Sequence, residues 1–521
     1  MSATRRTLML AFAAVGAISI GACGSAEKKD SSGAALTEKT ISIPFVSDMS
    51  VPDPDVFYDV EGNAVTLSVY EGLVRYKPDT TEIVGDLAKS WEVSDDKKTY
   101  TFALQDGVTF HSGAPMTSKD VKASFERRKT LGQGSSYMLA GVKSMETPDD
   151  STFVINLKEP QLPFMHYLAS QWGPRVIGPE ALVENAGDDQ AQKYLSTHED
   201  GTGPYELTEF DRGTQYTLTA YDGYWGAKPY YTTVNLKITP DVNTQQIQLK
   251  GGDLAMMLHA YPASDLKSAE DDPNLKVETP ETAATLITYL NTNKAPFDDP
   301  KARAAVAGVI DREAIVSQAY GDTAKVAAGP YPPAMLADQP ELPYGTGVPA
   351  GSEDIGKGKK ILLSYAADEV ATLGRVSQLL QSQLKEIGYD VVIKEVPHAQ
   401  VYDWVEGAEK GPDIFLLTNN PDAAHPDTWA GINWGTKGGT NLLAYSDPKV
   451  DDMLATALSQ DSEEQADEIY REIGQEVVDA NAQLFIANVR DTIVYNAGIA
   501  GVTHTPLYPW VVDLDQLKPA E

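Results

Sequence analysis

The clearest periodicities lie in the second half of the chain. Lys359 to Tyr365 is a short apolar run that reads as a strand. Val370, Leu373, Val376, Leu379, Leu380, Leu384 and Ile387 then recur at helical spacing up to Gly388, a natural C-terminal stop. Tyr389 to Val396 predicts a second strand, Gln400 to Glu409 a helix, and Asp413 to Leu417 a third strand. This βαβαβ order with short connections predicts an α/β unit built on parallel strands. Two further helices follow, one with Pro448 in its first turn and one opened by a capping box of Ser462 and Gln465. Leu484 to Val489 predicts a strand that returns towards the first half.

Earlier in the chain, Lys39 to Val46 alternates towards a strand that ends at Ser47-Asp48-Met49-Ser50. Asn63 to Glu71 reads as a helix and Lys98 to Leu104, with its period of two, as a strand. Asp106-Gly107 is a turn pair, and Thr117 to Asp120 has the capping-box pattern that opens a helix.

The most informative stretch is Asp413 to Trp434. The apolar run from Ile414 to Leu417 stops abruptly at Thr418-Asn419-Asn420-Pro421-Asp422, and a polar, Pro-broken segment follows that carries Trp429 and Trp434. In open α/β sheets, ligands bind just beyond the carboxyl ends of strands. Thr418, Asn419, Asn420 and Asp422 are therefore candidate ligand residues, with indole surface from Trp429 and Trp434 nearby. Locally the same residues are also ordinary turn formers. Asp48, Met49 and Ser50, at the end of the first strand, form a second candidate rim.

Composition narrows the function. The chain has 521 residues, enough for two or more domains, and 42% hydrophobic with 22% charged residues is the profile of a folded soluble protein. A formal charge of −33 argues against nucleic acid, whose binding rests on Lys and Arg neutralising phosphates. Cys23 is the single cysteine, so no intramolecular disulfide can form. Arg5-Arg6, an apolar run from Leu8 to Ile20 and Gly21-Ala22-Cys23 together make a secretory signal, too short for a comfortable membrane span. Ile20-Gly21-Ala22-Cys23 resembles a bacterial lipobox, which implies lipidation at Cys23 and removal of residues 1–22, with the charge becoming −35 as Arg5 and Arg6 are lost. The adjacent arginines leave both the general secretory and the twin-arginine routes open. Residues 24–38 are small and polar and predict a tether with a reach of about 20 Å.

Several chemistries are absent from the sequence. Gly351 to Lys357 nearly spells a phosphate-binding loop, but Gly358 stands where the magnesium-binding hydroxyl belongs, and the motif precedes its strand. The seven histidines are scattered without helical metal-site spacing, and no G-x-S-x-G elbow occurs. His425, within the key stretch, reads as a loop histidine or a ligand contact. No catalytic constellation, metal site or cofactor motif is found.

Three separated blocks carry a family resemblance. The first runs from Ile83 to Arg128 and includes Trp91, Asp95-Asp96, Asp106-Gly107-Val108, Phe110-His111-Ser112-Gly113 and Asp120-Val121. The second is Gly201-Thr202-Gly203-Pro204-Tyr205 with Tyr221-Asp222-Gly223-Tyr224-Trp225, and the third is Leu290 to Phe297 with Ala302 to Asp311-Arg312. In this order they closely resemble the family 5 extracellular solute-binding proteins, receptors for peptides, nickel complexes and some sugars that feed ATP-driven importers. The resemblance covers essentially the whole mature chain.

It implies an α/β, two-lobed periplasmic-binding-protein-like fold with an extra inserted domain and a ligand cleft between hinge-linked lobes. The implied division is lobe I from 39–62, 200–284 and 491–521, an inserted domain II from 63–199, and lobe III from 285–490. The crossings are expected around 283–292 and 484–492. The implied role is that of a non-enzymatic, lipid-anchored receptor on the extracytoplasmic face of the cell membrane, acting as a monomer. It would deliver oligopeptides to the permease subunits of an ABC importer; an oligosaccharide or other non-peptide solute is the alternative. Asp422 aligns with the family's acidic residue that holds a peptide's α-ammonium, and peptide backbone would pair near Thr418 to Pro421. Where peptide-binding relatives carry an Arg for the ligand carboxylate, this chain has Leu416 and, approximately, Ser364-Tyr365. The family's aromatic before this strand is replaced by Ala399 or Gln400. These departures favour a longer or modified peptide, or a neutral ligand stacked on Trp429 or Trp434.

Overall fold

In the computed structural model, the described residues are 39–521 apart from 260, 334, 367–369, 398–399 and 402. The signal, Cys23 and the tether lie outside them. The first strand, Thr40–Phe45, is buried at its centre and pairs in parallel with Thr233–Ile238. That strand continues antiparallel to Gln215–Ala220 and then to Tyr205–Asp211, giving a four-stranded sheet. Helix Asn63–Val69, one residue pair shorter than its apolar pattern predicts, packs its Ala64, Val65 and Val69 into the same core.

A second four-stranded sheet, wholly antiparallel, is formed by Ala88–Val93, Thr99–Leu104, Thr152–Leu157 and Val142–Asp149. It is covered by helix Ser118–Leu131, which opens with the expected Thr117–Asp120 capping box and closes on Gly132 in the left-handed region.

The largest sheet has six strands in the order Ala324–Val326, Gln483–Arg490, Glu281–Leu290, Ile414–Asn419, Lys360–Ala366 and Asp390–Val396. The last three are parallel, as the βαβαβ pattern predicts, and helix Val370–Glu386 supplies the crossover. Gly388, at φ 91°, turns the chain away from that helix, and its Cβ position is closed by Lys357. Two local expectations are corrected. The helix expected over 400–409 is broken at Gly407 into Asp403–Glu406 and a short 3-10 turn, Ala408–Lys410. The strand expected to stop at Leu417 runs on to Asn419, because Thr418 and Asn419 pair with Leu286 and Thr285.

Two adjacent antiparallel strands join this sheet to the first half. Leu275–Glu278 runs into Glu281–Leu290, and Gln483–Arg490 runs into Ile493–Asn496. Between them, the Asp491 amide donates to the Pro280 carbonyl at 3.2 Å. Glu281 is paired there with Arg490 (2.5 Å) and Lys325 (2.7 Å). The two halves are also in contact away from these strands, since one buried apolar cluster runs from Phe102 and Phe153 through to Leu416, Trp429 and Trp434.

The loop after the first strand is fixed by buried charge. Arg127, on the helix over the antiparallel sheet, donates to Asp53 (2.6 and 2.9 Å) and Asp55 (2.7 Å), and Arg128 donates to Asp55 at 3.3 Å. All four side chains are buried. Breaking one member of such a cluster strands the others without counter-charge, which costs several kcal/mol. Arg127→Met is therefore expected to lower the unfolding free energy by about 3–5 kcal/mol. A denaturant titration checks this, and a change under 1 kcal/mol would contradict the clamp.

Candidate ligand-binding site

Asp422 follows the strand Ile414–Asn419 and lies at the contact between the two halves of the protein. Its carboxylate is 4% exposed and accepts hydrogen bonds from Tyr58 at 2.7 Å and from Tyr137. Its own carbonyl accepts from Ser170 Oγ at 2.5 Å. No salt bridge reaches it among the described residues. Burial pushes its pKa up to about 6, against the opposing pull of the two phenol hydroxyls. It is a desolvated carboxylate with donors but without a cation.

The grip on this loop extends beyond Asp422. The Ala424 amide donates to the Tyr76 hydroxyl at 2.9 Å, and that hydroxyl is hydrogen-bonded to His166 Nδ1 at 3.1 Å. Burial, reinforced by the neighbouring His425 ring, holds His166 down at about 4. Tyr167 donates to Asp427 at 3.0 Å from one half and Tyr470 at 3.3 Å from the other. His425 is buried; its Nδ1 accepts the Asp427 amide at 3.1 Å, placing its proton on Nε2 towards Glu463 at 3.1 Å. In this conformation His425 is a structural residue of the contact and is engaged by the protein itself.

The other sequence-derived residues divide. Asn419 is buried and donates to Asn433 at 2.7 Å, and it also receives the Asn420 amide at 2.9 Å. The Asn420 side-chain oxygen is buried without a hydrogen-bond partner, so it has an acceptor to offer. Thr418 is half-buried, and the pairing of its strand with Lys360–Ala366 ends at Leu416. Trp429 and Trp434 are not ligand platforms here. The segment that read as a loop contains helix Asp427–Asn433, which turns both indoles into the core. Trp429 donates to the Pro330 carbonyl at 2.9 Å and Trp434 to Gln483 at 3.1 Å.

Asp48, Met49 and Ser50 belong to a turn held by the first sheet rather than by Asp422. Tyr216 donates to Asp48 and accepts the Met49 amide at 3.2 Å. Met49 is buried and packs on Gly62, whereas Asp48 and Ser50 are exposed. Tyr58, Tyr137, Ser170 and Tyr167 were not singled out by sequence. They stand in loops or short helices with no pattern of their own, and only the tertiary contact gives them a role.

The two positions without an Arg are side by side. Leu416 and Tyr365 pair in register on neighbouring parallel strands, and both are buried. Arg303 is engaged by the Ala480 and Phe297 carbonyls, Arg312 by that of Ala327, and Arg375 by Gln318. Among the described residues, no group of three or more His, Cys, Asp or Glu has metal-binding geometry, and no helix is long and apolar enough to cross a membrane.

Two sheet systems are thus joined by two crossing strands, with a desolvated acid between them, the two-lobed architecture of periplasmic binding proteins. Residues 82–441 match the model of the bacterial extracellular solute-binding proteins, family 5, and the chain belongs to that family. It is a binding protein of the kind that serves ABC importers and not an enzyme. It is 29% identical over 500 residues to the probable D,D-dipeptide-binding periplasmic protein of Escherichia coli, covering 93% of this chain and 95% of that one. It is 28% identical over 457 residues to the glutathione-binding protein of Salmonella typhi, covering 84% and 86%. Among solved structures, an ABC transporter-associated periplasmic binding protein from Helicobacter pylori in complex with peptide STSA superposes with a TM-score of 0.80. That match has 21% identity and covers 92% of this chain and 98% of the other. A Campylobacter jejuni protein in complex with Ni(L-His) superposes at 0.81 with 22% identity, covering 92% and 100%. These likenesses establish the two-lobed α/β fold.

The Asp422 shift has a stability consequence. Its folded pKa of about 6 exceeds the unfolded value of 3.8, so its favourable contribution is complete below pH 3.8 and is lost as pH rises through 6. Asp422→Asn is expected to stabilise the protein by about 2–3 kcal/mol at pH 8 and by only about 0.5 kcal/mol at pH 4. Denaturation curves at the two pH values read this, and a variant less stable than the parent at pH 8 would contradict it.

Proposed function

We propose that the chain is the lipid-anchored, extracytoplasmic receptor of an ABC importer, and that it captures oligopeptides by their free ammonium at Asp422. The observation that carries this reading is the state of that carboxylate. It is buried at the interlobe contact, held by Tyr58 and Tyr137, and pushed up to about 6 by burial. A charged hydrogen bond from an ammonium in such a site is worth roughly 1.5–3 kcal/mol. Relatives named for D,D-dipeptides and glutathione are in keeping with a peptide-type ligand.

In this reading lobe I comprises 39–62, 200–284 and 491–521, domain II comprises 63–199, and lobe III comprises 285–490. The crossing strands around Glu281 and Arg490 support that division. Ligand contacts with both lobes at once would favour the closed form, which the permease then distinguishes from the empty one. The pairing of Leu416 with Tyr365, where relatives hold a carboxylate, favours a longer peptide or one with a modified C-terminus. The oligosaccharide alternative loses its stacking platforms, because Trp429 and Trp434 are committed to the core. Cys23, at the lipobox position, supplies the anchor, and a Cys23→Ser protein would be shed into the medium.

Calorimetric titration with one peptide in its free and N-acetylated forms tests the ligand. Asp422→Asn is expected to weaken the free form by about 10- to 100-fold and to leave the weak binding of the acetylated form unchanged. Equal affinity of both forms for the parent protein would remove Asp422 from the site.

A further inference from the structure

Asp422 is covered by two side chains that are themselves exposed. The carboxylate is 4% accessible, yet Tyr58 and Tyr137, which both donate to its Oδ2, are 42% and 37% accessible. Exposed apolar side chains scattered singly over a surface are ordinary. These two are not scattered, since they come from distant segments and share one acceptor. Each stands on a turn whose other members are anchored. Phe57, before Tyr58, is buried, and its amide donates to the Asp53 carbonyl at 2.8 Å within the arginine-clamped loop. Tyr137 belongs to the 3-10 turn Ser136–Leu139, whose Met138 and Leu139 are fully buried. The two segments touch at Gly134, in the left-handed region at φ 50°. Its Cβ position lies 3.2 Å from the Asp55 carbonyl oxygen and 3.6 Å from the Tyr58 Cβ.

Both phenol rings are also set by a second ring. Tyr58 meets Trp172 at 5.3 Å between centroids and 75° between planes, and Tyr137 meets Tyr167 at 5.9 Å and 79°. Trp172 and Tyr167 are buried and are fixed in turn, one to the Asp59 carbonyl at 2.9 Å and the other to Asp427 at 3.0 Å. An edge-to-face pair covers at most one face of a ring, and the exposures show that ring surface stays accessible on both tyrosines. That surface is hydrocarbon. Both hydroxyl protons are committed to Asp422, so neither phenol has a donor left for a polar side chain. The aromatic wall begins one hydrogen bond away from the carboxylate, at 2.7 Å for Tyr58. In a peptide, the first side chain branches from the carbon that bears the ammonium. An ammonium at Asp422 therefore brings that side chain within reach of the two rings.

We propose that Tyr58 and Tyr137 determine specificity at this site: their exposed ring surfaces receive the side chain of the ligand's first residue and select a large apolar or aromatic one. The proposal rests on the reading that Asp422 holds the ligand's ammonium. Covering a phenylalanine side chain against these rings, in place of an alanine methyl, raises affinity about tenfold. Serine gains nothing there, because its hydroxyl gives up water without acquiring a donor. Since Trp172, Tyr167 and Asp422 already hold both rings, little side-chain freedom is lost when the ligand arrives. The substrate class that results is a peptide with a free N-terminus and a bulky apolar first residue.

The test is calorimetric titration of tripeptide amides X-Ala-Ala, with phenylalanine, alanine or serine as X, against the parent protein and two double variants. Tyr58→Ser with Tyr137→Ser removes both rings, whereas Tyr58→Phe with Tyr137→Phe keeps the rings and removes the hydroxyls. In the parent, phenylalanine is expected to bind about tenfold more tightly than alanine or serine, and an advantage under about threefold overturns the proposal. The advantage should fall to less than half its parent value in the serine variant and stay above half in the phenylalanine variant. The opposite result in either variant overturns the proposal. Free and N-acetylated Ala-Ala-Ala amides, compared on the parent, report separately on Asp422. Equal affinity there would remove the role of Asp422, and the phenylalanine–alanine ratio would still report on the tyrosines. If the serine variant fails to fold, a crystal structure of the parent with Phe-Ala-Ala amide decides. A first ring in van der Waals contact with Tyr58 and Tyr137 supports the proposal, and one placed elsewhere overturns it.

Discussion

An anion taken out of water without a counter-charge is the constraint on which the rest of this structure turns. Asp422 sits where two halves of the protein meet, and hydroxyl donors from Tyr58 and Tyr137 meet part of its desolvation cost. Hydroxyls stabilise a carboxylate less than a cation does. The burial of this carboxylate therefore costs stability at the contact between the two halves. A cationic group that reaches Asp422 gains most when both lobes surround it, which is the differential affinity that hinge closure requires. The contacts that flank Asp422, from Tyr76 to Ala424 and from Tyr167 to Asp427, make the same loop the seam between the lobes. On the proposed reading, one segment would serve both ligand recognition and closure.

Much of the fold was legible because local patterns and tertiary structure agree. The helix Val370–Glu386 carries an unbroken apolar stripe, and the strands around it are short apolar runs with clear stops, so their parallel order follows from connection length alone. Capping signals at Thr117 and Ser462 were likewise realised. Where tertiary pairing overrides local chemistry, the sequence misleads. Thr418 and Asn419 are turn formers that became strand because Leu286 and Thr285 stand opposite them. Asp427–Asn433 is short and follows Pro426, and it gained its helix from the burial of Trp429 rather than from propensity.

The site was legible in one element only. Asp422 stands at a strand end and is charged, and both facts are visible in the chain. Its partners Tyr58, Tyr137 and Ser170 come from three distant segments, and nothing in their local sequence distinguishes them from other residues of loops and short helices. The tryptophans show the opposite failure. Proximity in sequence to a candidate acid suggested a platform, yet the helix phase directs both indoles inward to Pro330 and Gln483. The Met49 turn belongs to the first sheet, to which Tyr216 ties it, and Met49 itself packs on Gly62.

The central claim is that ligand binding supplies the positive charge Asp422 lacks. The most direct measurement is the number of protons exchanged on peptide binding, obtained by calorimetry at pH 5.5 in buffers of different ionisation enthalpy. With a free pKa of about 6 that falls on binding, the account predicts release of roughly three-quarters of a proton per peptide, an effect absent from Asp422→Asn. Proton uptake, or no exchange in the parent protein, would contradict it.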